Sequence, residues 1–406
     1  MADAAIEQDS AASWRRLVVA LILSTIGGVG LWSTVVVLPV IEAEFGVDRG
    51  GASIPYTATM IGFAIGGVLM GRLADRVGIM IPVMLGAVIL GLGYILASQV
   101  DSYWAFIAVQ AVLIGALGSS PTFGPMVADV SFWFRKRRGI AVAITASGNY
   151  LAGTVWPPVL EAAIAEVGWR DAYFATGVFV IVTMVPLALL LRKRADLDAQ
   201  EAPSGLAQSR ISASPAMLKT LLVLAGVACC VAMSMPQVHM VAYCIDLGYG
   251  PAVGAEMLSL MLGLGIVSRI GSGFIADRIG GLGTLILGSG LQMLALMFFL
   301  PFDGLVSLYF IAALFGLSQG GIVPSYALIV RDFFPAREAS RLVSLVLMAT
   351  VVGMALGGWM SGEIYDLTGS YAAAFLNGIL WNLLNLGIAF WLLFGRSKGQ
   401  PNAVAA

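Results

Sequence analysis

Charge is scarce in this chain of 406 residues: Asp, Glu, Lys and Arg make up 11 % of it, whereas 59 % is hydrophobic and the mean hydropathy is +0.92. That balance excludes a water-soluble core enzyme. No basic block recurs outside short loops and the net charge is −1, so nucleic-acid binding through phosphate neutralisation is excluded as well. Cysteine is nearly absent. Cys229, Cys230 and Cys244 lie in or beside one apolar segment, which is neither a disulfide framework nor a metal-ligand spacing. There is a single histidine, His239. The polar start of the chain is not followed by a short apolar run with a small-residue cleavage site, so no removable signal peptide is expected.

What the chain has in abundance is long apolar runs. A helix needs about 20 mostly apolar residues to cross the hydrocarbon, and lipid leaves no other fold for a run of that length. Twelve such runs are expected, near 17–40, 52–73, 79–99, 104–130, 140–163 and 171–191, and then 217–243, 253–276, 282–300, 304–330, 342–362 and 371–395. With the amino terminus cytoplasmic, the basic residues sort inward, from Arg15, Arg16, Arg72 and Arg76 through the Arg135–Arg138 run to Arg331 and Arg341. Only Arg49 and Arg170 fall on the outer side, among acids such as Glu42, Asp101, Asp246 and Asp366. Both termini are therefore expected in the cytoplasm of a cell whose inner membrane holds the protein.

One hydrophilic stretch, 195–215, reads as a linker between two six-helix bundles, 1–194 and 216–406. A pattern recurs on either side of it: Gly71-Arg72-Leu73-Ala74-Asp75-Arg76-Val77-Gly78, and 202 residues later Gly273-Phe274-Ile275-Ala276-Asp277-Arg278-Ile279-Gly280. Glycine permits close helix approach, while Asp75 and Asp277 can cap a helix or pair with a base beside Arg76 and Arg278. Two latches that open and close would gate the inner side; the competing reading is a pair of tight turns with solvated charges.

On these two loops the sequence resembles the major facilitator superfamily over essentially its whole length. The resemblance implies an all-α membrane protein of twelve helices in two pseudo-symmetric bundles, a carrier working by alternating access with its substrate held near mid-membrane. It names no substrate, because function resides in sites rather than folds.

Ionisable residues inside spans are costly and by default functional. Arg269 heads them, eight residues before Asp277 and so about 12 Å deep. Gly67 occupies the matching place in the first half, and no central acid stands ready as a partner. A guanidinium stays charged and matches a carboxylate; the competing reading is a side chain that snorkels to the interface. His239 can bind a substrate oxygen or carry a proton, with Tyr243 one turn on, or it is a packing residue. Weaker candidates for the cavity wall are Thr122 and Phe123 in a proline-broken stretch, Asn149, Gln319 and Tyr326, many of which suit interhelical bonding.

The stretch from Val238 to Tyr249, with Ser268-Arg269-Ile270-Gly271-Ser272-Gly273, resembles the monocarboxylate transporter branch. Members there hold the substrate carboxylate with an arginine at the position of Arg269, and bacterial relatives carry a histidine at that of His239. The first span departs from the animal members in having no lysine, and Gly265 stands where they place an aspartate. The related oxalate/formate antiporters add a lysine in the eleventh helix; Leu342 to Met360 here holds no Lys or Arg. The expectation is a monomeric symporter of one small organic acid with a proton, with organic-anion exchange or a non-acid substrate as alternatives. No metal, cofactor or catalytic residue is expected, since paired carboxylates or a ligand cluster at mid-membrane are missing. Because latches act on conformation and not on ligand, Asp75→Asn and Asp277→Asn are expected to slow transport several-fold while leaving substrate affinity nearly unchanged. Parallel losses of affinity in a binding titration would contradict that role.

Overall fold

The structure, a computed structural model, describes residues 8–193, 214–334 and 336–395. Most of the expected linker 195–215, and Arg194, Arg210, Arg396 and Lys398, lie outside the described residues. Ten helices are long and apolar enough to cross a membrane. In chain order these include α1 (Ala11–Phe45), α2 (Arg49–Val77), α3 (Met80–Ala97), α4 (Tyr103–Phe132) and α6 (Trp169–Leu189). Between α4 and α6, Arg138–Ala146 and Gly148–Val167 together form α5. The second series starts with α7 (Pro215–Asp246). Pro251–Phe298 follows, and its Gly280, at φ 76° and ψ 170°, divides it into α8 and α9. It ends with α10 (Leu305–Phe333), α11 (Ala336–Thr368) and α12 (Tyr371–Phe394). Counting α5 and the break at Gly280 gives the twelve expected crossings.

Buried apolar side chains gather into two clusters. One is built on α1 to α6 and reaches across to Val238, Ala242, Leu258, Leu262 and Ala355; the other is built on α7 to α12. Glycine sets the closest approaches. A Cβ on Gly62 or Gly66 of α2 would strike the carbonyls of Ala111 and Ala116, so these glycines let α2 lie against α4. At that contact α4 is wound as a π-helix over Val109–Ser119, tightens to a single turn at Ser120–Thr122 and breaks at Phe123. Pro121 and Pro125 bracket the break, as removal of backbone donors requires.

One ion pair closes the end of the first half that carries the chain start. Asp129 does not face water beside the Arg135–Arg138 run, as its neighbours in sequence suggest. Arg16 grips it with two bonds, Nε to Oδ2 at 2.7 Å and Nη2 to Oδ1 at 2.9 Å, and both side chains are largely buried. The same guanidinium donates to the Leu191 carbonyl at 3.3 Å and lies 4.3 Å from the centre of the Trp133 ring. So α1, α4 and the end of α6 share one cation. Removing the acid alone strands that cation: Asp129→Ala is expected to cost about 3–5 kcal/mol, and Arg16→Met with Asp129→Leu much less. Thermal melts in detergent read both; a single mutant melting with the wild type would contradict the assignment.

Candidate substrate site and outer closure

The end of the bundle that carries Arg49, Asp246 and Asp366 is the outer face on the charge reading above. Arg269 sits on α8 eighteen residues past Pro251, about 27 Å along the axis from that face. Its Nη1 donates to the Ala146 carbonyl at 2.9 Å and its Nε to that of Gly320 at 3.4 Å. The guanidinium carbon lies 4.4 Å from the centre of the Tyr150 ring. No carboxylate pairs with it among the described residues. Both carbonyls come from helix breaks, Ala146 where the first segment of α5 ends and Gly320 where α10 is interrupted between Gln319 and Ile322. A broken helix leaves carbonyls without an intrahelical donor, and such backbone is tolerated at membrane depth only where protein or a cavity receives it.

Gly265, one turn before Arg269, explains how the tyrosine comes so close. A Cβ there would lie 2.8 Å from the Tyr150 ring and 3.3 Å from Gln319 Nε2. Gln319 accepts a short hydrogen bond from Gln237 and donates to the Met261 carbonyl at 3.3 Å. Next to Tyr150, the Asn149 carbonyl accepts from Trp32 Nε1 at 3.1 Å, while its buried Oδ1 has no hydrogen-bond partner among the described residues. The Ser259 hydroxyl, bonded to the Thr154 carbonyl at 2.5 Å, fixes α8 on α5. One cation, two glutamines and the Tyr150 ring thus meet where the two series of helices touch.

A second constellation closes the end of the bundle that carries Arg49. Arg49, the first residue of α2 and only 7 % exposed, bonds Glu42 at 2.7 Å, Asp246 at 3.2 and 3.3 Å and the Tyr371 oxygen at 2.7 Å. Its guanidinium carbon lies 4.6 Å from the centre of the Tyr365 ring. The Asp366 carboxylate caps the same helix start, accepting from the backbone N–H of Arg49 at 3.0 Å and of Gly50 at 2.6 Å. An acid there meets the positive end of the α2 dipole as well as two free donors. Thr57, donating to the Ala355 carbonyl at 2.9 Å, extends the seam inward. At the opposite face Asp75, Arg76, Asp277 and Arg278 are all exposed and form no ion pair among the described residues.

The family model of the Major Facilitator Superfamily matches residues 20–312. The chain belongs to that superfamily. It is 26 % identical over 84 % of its length to the rat (Rattus norvegicus) protein named Monocarboxylate transporter 13, covering 78 % of it. An MFS-type transporter of Gibberella moniliformis is 27 % identical, with 84 % of this chain and 81 % of that one covered. Among solved structures, a variant of the nucleoside transporter NupG superposes with a TM-score of 0.71 at 15 % identity, over 94 % of this chain and 99 % of that chain. The protein is therefore a multi-pass membrane transporter and not an enzyme.

Within this facilitator the residues singled out by sequence separate into groups. Arg269 and Gln319 come together beside Tyr150, the residue that follows Asn149. His239 and Tyr243 do not join them. His239 is fully buried, with Nε2 2.8 Å from the Gly358 carbonyl and Nδ1 3.1 Å from the Tyr371 hydroxyl. Tyr243 packs edge-on against Tyr371, Phe375 and Phe299. Tyr326 is buried in the second half, its hydroxyl 2.7 Å from Asn385 Oδ1 and 2.9 Å from the Ala225 carbonyl. Thr122 turns its hydroxyl onto the Ser119 carbonyl at 2.7 Å, and Phe123 packs on Phe63 with ring centres 6.1 Å apart. Sequence reasoning passed over Tyr150, Arg49 and Tyr371. An aromatic next to the Ala146-Ser147-Gly148 break was the available signal for Tyr150; for the other two there was none beyond an arginine on the wrong side of the charge rule.

Proposed function

We propose that this facilitator carries a small monocarboxylate of the lactate or pyruvate kind, together with a proton, by rocking the halves 1–194 and 216–406 about a site centred on Arg269. The observation that carries the reading is the state of that side chain: a permanent cation at the seam between the halves, answered by two carbonyls and a ring and by no acid among the described residues. Carbonyl dipoles answer a guanidinium only in part, whereas a carboxylate forms two parallel charge-assisted bonds with it. An incoming acid thus replaces the Ala146 bond with a stronger one. The name of the rat relative supports this substrate class. So does α11, which offers neither Lys nor Arg from Leu342 to Met360, leaving one cation for one carboxylate and arguing against a dianion.

In this reading the closed Arg49 cluster and the unpaired loop motifs make the structure the inward-facing member of the cycle. Both termini are in the cytoplasm, the membrane is a bacterial inner membrane and one chain suffices. Uptake of labelled short-chain acids into proteoliposomes, with and without an inward proton gradient, tests substrate and coupling together. Arg269→Lys is expected to lose at least about tenfold in uptake efficiency, because an ammonium lacks the planar fork. Tyr150→Leu, which removes the ring beneath the guanidinium, is expected to raise the half-saturating concentration about two- to fivefold. Wild-type uptake in Arg269→Lys would overturn the reading.

A further inference from the structure

The hydrogen bonds around His239 fix where its proton must be. Gly358 offers the ring a carbonyl, which can only accept, so Nε2 carries a hydrogen. At the other side of the ring, the Tyr371 oxygen already accepts from Arg49 Nη1 at 2.7 Å, so its own hydrogen points to Nδ1 at 3.1 Å. A neutral imidazole thus completes one directed chain: Arg49 donates to Tyr371, Tyr371 to His239, and His239 to Gly358. An imidazolium breaks it. Its Nδ1–H would face the oxygen that already takes the guanidinium hydrogen, the phenol hydrogen would lose its acceptor, and two cations would share one oxygen.

No surrounding acid gives that second cation a bond of its own. On its own helix α7 the ring has Tyr243 and Asp246, from α1 Glu42, from α2 Arg49, from α11 Glu363, Tyr365 and Asp366, and from α12 Tyr371. Glu42 and Asp246 are engaged by Arg49, and Asp366 by two backbone N–H groups. Glu363 accepts from Trp359 Nε1 at 3.0 Å. None of these acids is a hydrogen-bond partner of the ring, whose two bonds go to Tyr371 and Gly358.

We propose that His239 is a proton-binding site separate from the substrate site, and that it is neutral whenever the Arg49–Tyr371 seal is formed and protonated only while the outer face is open. The two sites differ in depth: His239 is seven residues before Asp246, about 10 Å from the outer end of its helix, against about 27 Å for Arg269. A proton taken up from outside holds the outer face open and must leave Nδ1 before it closes, so it does not ride through the cycle on this ring. The state that binds the proton gains population as pH falls, by up to about tenfold in the open-to-closed ratio per pH unit for one proton. The proposal rests on the alternating-access part of the functional reading and is independent of which acid is carried.

The test uses no substrate. Spin labels at Glu166→Cys and Leu367→Cys, both exposed at the outer face, report its opening as a distance in lipid nanodiscs from pH 8 to pH 5; the three native cysteines are buried. The wild type is expected to gain a longer-distance population as pH falls. His239→Gln, whose amide can accept from Tyr371 and donate to Gly358 without titrating, is expected to keep the closed distance throughout. Tyr371→Phe retains the ring but cuts its link to Arg49, and is expected to lose the pH response even if the glutamine variant fails to fold. A wild type indifferent to pH, or either variant responding as the wild type does, overturns the proposal. The same scan in Arg269→Lys separates this site from the other, since its pH response is expected to persist whether or not that variant transports.

Discussion

A guanidinium held away from water has to be answered, and Arg16, Arg49 and Arg269 are answered in three different ways. Arg16 has a carboxylate of its own half on two bonds. Arg49 has carboxylates as well, but one of them, Asp246, belongs to the other half. Arg269 has none among the described residues, only carbonyls and a ring. The order follows what each site has to do. On the proposed cycle a pair within one half need not break, a pair across the seam breaks once per turn, and a cation without an acid of its own is left to take one from a substrate.

The helices are shaped to serve that arrangement. Where α5 and α10 break, they release the carbonyls that hold Arg269, and Gly265 clears the space through which Tyr150 reaches the guanidinium. Asp366 uses the exposed donors at the start of α2 to clamp the outer face, and Arg49 at the same position adds its side chain. Outer closure is thus assembled on one helix terminus, from groups contributed by α1, α7, α11 and α12. That concentration makes it cooperative: Tyr371 bonds both Arg49 and His239, so a change at either end is felt at the other.

Local signals carried much of this in the sequence. Hydropathy located the spans, the duplicated loop revealed the two series of helices, and proline spacing marked the break in α4. Arg269 stood out because a charge at that depth has few structural excuses. The outer closure was illegible for a different reason: Arg49 and Tyr371 are 322 residues apart, and nothing near either one names the other. Sequence leaves His239 open between substrate contact, proton carrier and packing residue, because the hydrogen bonds it makes depend on Gly358 and Tyr371, from helices far along the chain. The Asp129 pair was illegible for the same reason, since its partner Arg16 is at the beginning of the chain.

On the proposed cycle Arg269 exchanges protein carbonyls for a substrate carboxylate. A cryo-electron microscopy map of the protein in nanodiscs with a saturating short-chain monocarboxylate reads that exchange directly. Density for a carboxylate is expected within about 3 Å of the Arg269 nitrogens, with the bond to Ala146 given up and the ring of Tyr150 still beneath the guanidinium. Acid density elsewhere in the seam, with Arg269 still bonded to Ala146, would contradict it.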